Sequence, residues 1–215
     1  MIELIVSVSA ALVVMMAVVT MTTAVLHNQD RINRRVDANS RARPVMTRMV
    51  QELHSSCVTS HIVPIQTGST GTSMSFLSMS GSAVGPTPDL HTISLNGTTL
   101  RESVYPATGG TAPSWTFSGT ATSNRALLTS VSAPSGVLFR YYDFINGAHS
   151  TTPLATPLSA TNAARASNVT NTYTSSPRAG VSTLDPGSPL LLTDSVDLRL
   201  ESAGQYPNQD NLPCV

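Results

Sequence analysis

The sequence predicts an α+β protein: one long N-terminal helix packed on an antiparallel β head. A charge-free apolar run, a helically spaced continuation and a series of short alternating segments point to it. They divide the chain into an apolar helix over 1–27, an amphipathic helix over 28–57 and a head over 58–215.

Leu4 to Leu26 is a run of 23 residues without a charge. At about 1.5 Å per residue it makes a helix of roughly 35 Å, enough to cross a hydrocarbon core of about 30 Å. A cleaved signal peptide is the rival reading. It fits less well, because no basic segment precedes the run, the stretch is too long, and no small-x-small cleavage site follows.

From Asn28 to Ser55 the apolar residues Ile32, Val36, Met46, Met49, Val50 and Leu53 recur at mostly helical spacing, with Arg and Asp between them. One face of this continuation is expected to pack on the head. Pro44 falls inside it and lacks the amide that would bond the Ser40 carbonyl, which predicts a kink or a break. Six of the twelve basic residues, Arg31, Arg34, Arg35, Arg41, Arg43 and Arg48, crowd this stretch. They are expected to form a solvated basic face beside lipid headgroups.

Beyond Cys57 the pattern turns strand-like. Ser73–Ser80 alternates, His91–Val104 reads as a hairpin turning at Asn96-Gly97, Val137–Phe144 is the most aromatic stretch, and Ser195–Ser202 alternates again. Tyr105–Asn124 and Gly147–Pro189 are rich in Ser, Thr, Pro and Gly and are expected to be long surface loops.

The familiar chemistry is missing from the sequence. Twelve acidic and twelve basic residues cancel, so no global field favours a nucleic acid. No P-loop, dinucleotide fingerprint, nucleophile elbow or zincin motif occurs, and the chain is not expected to be an enzyme. His54, Cys57 and His61 are spaced as metal ligands can be, but without a fourth ligand nearby, so neither metal nor cofactor is expected. Asp194 and Asp197 are three apart, which on a strand puts them on opposite faces. The two cysteines, Cys57 and Cys214, are far apart in sequence. In an exported head they can join, and closing so long a loop contributes on the order of 4–5 kcal/mol in the chain-entropy view.

Glu3 is the residue that does not suit a plain anchor. It can face headgroups; if such helices bundle, it sits instead in a low-dielectric setting and needs a cation. The amine of a neighbouring helix's N-terminus is the nearest one with a defined position.

Met1-Ile2-Glu3-Leu4-Ile5-Val6 resembles the processed Phe-Thr-Leu-Ile-Glu-Leu start of type IV pilins and type II secretion pseudopilins, taken from the third residue of that run onward. Further matches look like large minor pilins or J-type pseudopilins: Arg41-Ala42-Arg43, Met49-Val50-Gln51-Glu52-Leu53, Thr99-Leu100-Arg101 and Phe139-Arg140-Tyr141-Tyr142-Asp143. The resemblance implies a lollipop-shaped subunit, single-pass in the inner membrane with an exported head, that polymerises into, primes or caps a cell-surface or periplasmic filament. It implies other pilin subunits, membrane lipid, a prepilin peptidase and the inner-membrane assembly machinery as partners. It makes Glu3 the assembly residue and Met1, Ile2, Glu3 and Leu4 the remnant of the processing motif. The family's basic leader and cleavage-point Gly do not appear here, and translation is expected to start upstream of Met1. The Arg cluster would by the positive-inside rule keep the head in the cytoplasm; a leader with its own basic residues reverses that bias. The alternative from another class is a membrane-tethered binding module or adhesin.

Overall fold

The computed structural model describes residues 2–57, 62–78, 87–111, 114–177 and 189–198. Helix α1 runs without interruption over Ile2–His54. The head follows as β1 (Ser73–Ser78), β2 (Asp89–Asn96), β3 (Thr99–Tyr105), β4 (Ala107–Thr111), β5 (Ser114–Phe117), β6 (Ser123–Thr129), β7 (Val131–Ser132), β8 (Phe139–Ile145), β9 (Ala148–His149), α2 (Ala160–Arg165), β10 (Ala166–Ser175) and β11 (Leu190–Asp197). All pairing is antiparallel. One sheet has the order β1-β2-β3-β6, a second β11-β10-β8-β9 with β7 on the end of β10, and β4-β5 is a separate hairpin. The α+β class read from the sequence is the one observed.

The C-terminal half of α1 lies on the head and buries Ala38, Ala42, Met46, Met49 and Leu53. All of these but Ala38 join Met74, Phe76, Ile93, Leu100, Tyr141, Val169, Tyr173 and Val196 in one core that both large sheets share. The small Ala38 and Ala42 let the second sheet approach closely, and Tyr173 Oη donates to the Ala42 carbonyl at 2.8 Å. Burial raises the Tyr173 and Tyr141 hydroxyls well above their ordinary pKa, so both stay neutral donors.

Several expectations need correcting. The buried stripe of α1 does not include Ile32 and Val36, which are 60% and 61% exposed. The helix continues through Pro44 without a break, because the lost bond lies on the outward face, where Ser40 and Pro44 are both exposed and the orphaned carbonyl can be solvated. The basic belt is only half solvated. Arg34 is buried against Asp30 at 2.9 Å, Arg41 bonds Asp37 and the Ser176 carbonyl, and Arg48 reaches Glu52 and Glu102.

The hairpin turn also sits one residue later than expected. Asn96 pairs with Thr99, so the loop is Gly97-Thr98, with Gly97 at φ 59°. Glycine first in a two-residue loop is the type II′ arrangement. The expected strand over 195–202 starts earlier, as β11, and the structure does not describe 199–202. The expected loop over 105–124 carries the β4-β5 hairpin. The one over 147–189 carries α2 and β10, the longest strand and the centre of the second sheet.

Candidate functional site

Two features of α1 lie outside ordinary core packing: its bare N-terminal half and an ionic cluster where its C-terminal end meets the head. From Ile2 to Gln29 every residue of α1 is exposed. The helix includes a window of mean hydropathy 2.6, long and apolar enough to span a membrane. Its hydroxyls are satisfied internally: Ser7, Ser9, Thr20, Thr22 and Thr23 each donate to a carbonyl three or four residues back, at 2.8–3.0 Å. The segment therefore has no unpaired hydroxyl that an apolar medium would leave unsatisfied. Glu3 is the exception. It is exposed and is the one ionisable side chain between Ile2 and Leu26. Met1 lies outside the described residues, while Ile2 and Leu4 are 80% and 70% exposed.

The exposed apolar surface continues beyond the span. At about 100° per residue, Val25, Ile32 and Val36 fall within roughly 40° of one another and opposite Arg34, on the side of α1 away from the head. This explains why Ile32 and Val36 stay out of the core: they belong to a second apolar face. Val25, Ile32 and Val36 are each more than half exposed among the described residues.

At the other end, Glu52 on the last turn of α1 meets His91 of β2 and Glu102 of β3, all three buried. Strand register brings them together: Glu102 lies opposite Ile93, one diagonal from His91, and directly opposite Arg125 of β6. His91 Nδ1 is 3.1 Å from Glu102 Oε1, and Arg48 Nε is 2.6 Å from Glu52 Oε1. Arg48 and Arg125 both reach Glu102 Oε2. Burial alone would raise the Glu102 carboxyl. The hydrogen bonds from His91 and Arg125, with the charges of Arg125 and Arg48, override it and hold the group at about 2. Glu52 moves the other way, raised first by burial and then by the Glu102 charge. No local spacing in the sequence links the members of this cluster, which are scattered along the chain.

A line of Ser167 Oγ, His149 and Asp197 resembles a catalytic triad on paper. His149 Nδ1 is 3.4 Å from Ser167 Oγ, and its Nε2 is 3.0 Å from Asp197 Oδ1. Ser167 is buried, however, and its hydroxyl donates to the Tyr142 carbonyl at 3.0 Å, so the line ties β9 to β10 and β11 rather than offering a nucleophile. Asp194 and Asp197 are not brought together; Asp194 accepts from the Ser195 amide. A half-open cleft of about 340 Å³ lies between the β4-β5 hairpin and α2, lined by Trp115, Phe117, Gln66, Thr67 and Ala163.

Of the spaced His54, Cys57 and His61, His54 is exposed and His61 lies outside the described residues. Cys57 is buried beside Ile62 and Leu77, and its amide bonds the Leu77 carbonyl at 3.0 Å. Cys214, its expected disulfide partner, also lies outside the described residues. The pairing has a direct check: mass spectrometry of the unreduced, natively exported protein should show one linked peptide pair containing both cysteines, and two free thiols would rule it out.

Comparison with known proteins returned nothing: no family model, no curated protein and no solved structure matches this chain.

Proposed function

We propose that this chain is a structural subunit of a type IV pilus-like filament, a minor pilin or pseudopilin that polymerises into, primes or caps it. The observation behind this reading is the two-sided character of α1. Its C-terminal half carries a buried stripe that binds the head, and its whole N-terminal half, with Ile32 and Val36 beyond it, is apolar and bare. A plain membrane anchor needs the first 25 residues or so to be apolar. It does not need a carboxylate at position 3, nor an apolar stripe that runs on past the span along the face turned away from the head. Packing of like helices side by side uses both. No catalytic step belongs to this reading. Subunits would be drawn from the inner membrane, with the head exported.

Fractionation of cells that express the full protein tests this. Mechanical shearing should release it in filaments visible by electron microscopy, together with other subunits. Recovery as a membrane monomer alone, under conditions where filaments are made, would replace the proposal with a tethered binding module. The Trp115–Phe117 cleft favours that second reading, since two aromatic rings and the polar Gln66 and Thr67 line it together.

A further inference from the structure

The joint between α1 and the head contains buried lone pairs that the ion pairs leave unused. His91 Nδ1 lies 3.1 Å from Glu102 Oε1; in the neutral ring this contact takes the proton on Nδ1 and leaves the lone pair on Nε2. Nε2 is buried without a partner. So is Glu52 Oε2, although Oε1 of the same carboxylate is held by Arg48. Both residues are more than nine-tenths buried, at 4% and 6% exposure. One ligand atom from each of Glu52, His91 and Glu102 lies within 4.8 Å of the others. A proton on Glu52 would satisfy one of these atoms and leave the imidazole nitrogen unpaired. A cation satisfies both.

We propose that Glu52, His91 and Glu102 form a binding site for one divalent transition cation of the zinc class, which fastens the end of α1 to strands β2 and β3. The donor set selects the class. One imidazole nitrogen with carboxylate oxygens suits Zn²⁺, whereas Ca²⁺ takes about six to eight oxygens and Mg²⁺ keeps most of its water. Three protein ligands leave a position for water or for a second carboxylate oxygen. The existing counter-charges do not block entry. Arg48 and Arg125 have side chains 45% and 44% exposed and can turn into water when a dication replaces them, while the three ligands are fixed in the core at 8%, 5% and 3%. Glu102 then exchanges its contact with His91 Nδ1 for a bond to the cation, which keeps the cluster neutralised.

The test uses the full chain in detergent, stripped with a chelator and titrated with Zn²⁺ alone. The expected result is one tight site per chain and a melting temperature that rises with Zn²⁺ concentration, as binding to the folded state alone requires. Mg²⁺ and Ca²⁺ at the same concentrations should leave it unchanged. Glu52→Gln and His91→Gln should each weaken binding by at least about tenfold, and His54→Asn, which alters an exposed histidine outside the cluster, should have no effect. A Co²⁺-loaded sample should show visible absorption that Glu52→Gln changes, a readout that does not depend on stability. Zn²⁺ affinity unchanged in both cluster variants, or abolished by His54→Asn, would place the cation elsewhere and overturn the proposal; so would absence of any stoichiometric binding.

Discussion

Replacing Glu3 by Leu should leave the protein in the membrane at normal levels and remove it from sheared filaments. The two outcomes separate because they depend on different surroundings of the same residue. In an isolated helix Glu3 is exposed and lies at the edge of an apolar segment, so losing its charge makes insertion no harder. In a bundle of such helices the carboxylate is desolvated and needs a cation, for which the N-terminal amine of an adjacent subunit is the candidate. Removing one partner of a buried pair costs roughly 3–5 kcal/mol, because the other charge stays behind uncompensated. Even a third of that shifts each assembly contact by about tenfold, since about 1.4 kcal/mol is a factor of ten. Immunoblots of membrane and sheared fractions measure both quantities. Filaments that form in normal number and carry the variant would remove Glu3 from the assembly mechanism.

Glu102→Gln should destabilise the metal-free protein by about 2–3 kcal/mol at neutral pH, and the loss should fade in acid. Holding a carboxyl at about 2, against 4.5 in the unfolded chain, corresponds to about 3 kcal/mol. The lower end allows for the half-exposed Arg48 and Arg125, which re-enter water once the carboxylate is gone. The folded value lies below the unfolded one. The stabilisation is therefore present above about 4.5 and disappears as pH falls from there towards 2. Wild type and variant should converge over that window and differ by roughly 5–10 °C in melting temperature at pH 7 in chelator-containing buffer. Glu52 runs in the opposite sense: its folded value is raised, so its contribution is present in acid and lost as pH rises through that value. Glu52→Gln in the same buffer should thus be neutral or stabilising at pH 7. Equal destabilisation by both variants at pH 7 would contradict the opposed environments of the two carboxylates.

What was legible in the sequence is what depends on near neighbours along the chain. The 23-residue charge-free run is long enough to be a spanning helix in any surroundings, and Met46, Met49 and Leu53 fall on one helical stripe by spacing alone. The β2–β3 hairpin was also visible, because alternation and a glycine turn are local signals. Strand β10 was not. Its Ala-Ser-Asn-Val-Thr-Asn-Thr-Tyr-Thr-Ser sequence has the composition of a loop, yet it alternates, with Val169, Asn171, Tyr173 and Ser175 buried and the threonines between them half-exposed. Polar composition outweighed period in the sequence reading. In the fold, β11 on one side and β8 on the other satisfy the backbone of β10, and its β-branched threonines suit a pleated surface.

Spacing over a few turns is enough to specify an apolar N-terminal helix, the point where its polar continuation begins and the β-rich character of the rest. Which side of that continuation meets the head is settled by long-range packing. Ile32 and Val36 are as apolar as Met46 and Met49, and periodicity cannot say which of two apolar faces a core will cover. The stripe that is covered holds Ala38, Ala42, Met46, Met49 and Leu53 and receives the Tyr173 hydroxyl at the Ala42 carbonyl, while Ile32 and Val36 fall outside it. The same packing assembled Glu52, His91 and Glu102. Strand register and the landing point of the helix are long-range quantities, and no stretch of sequence short enough to read as a motif contains them.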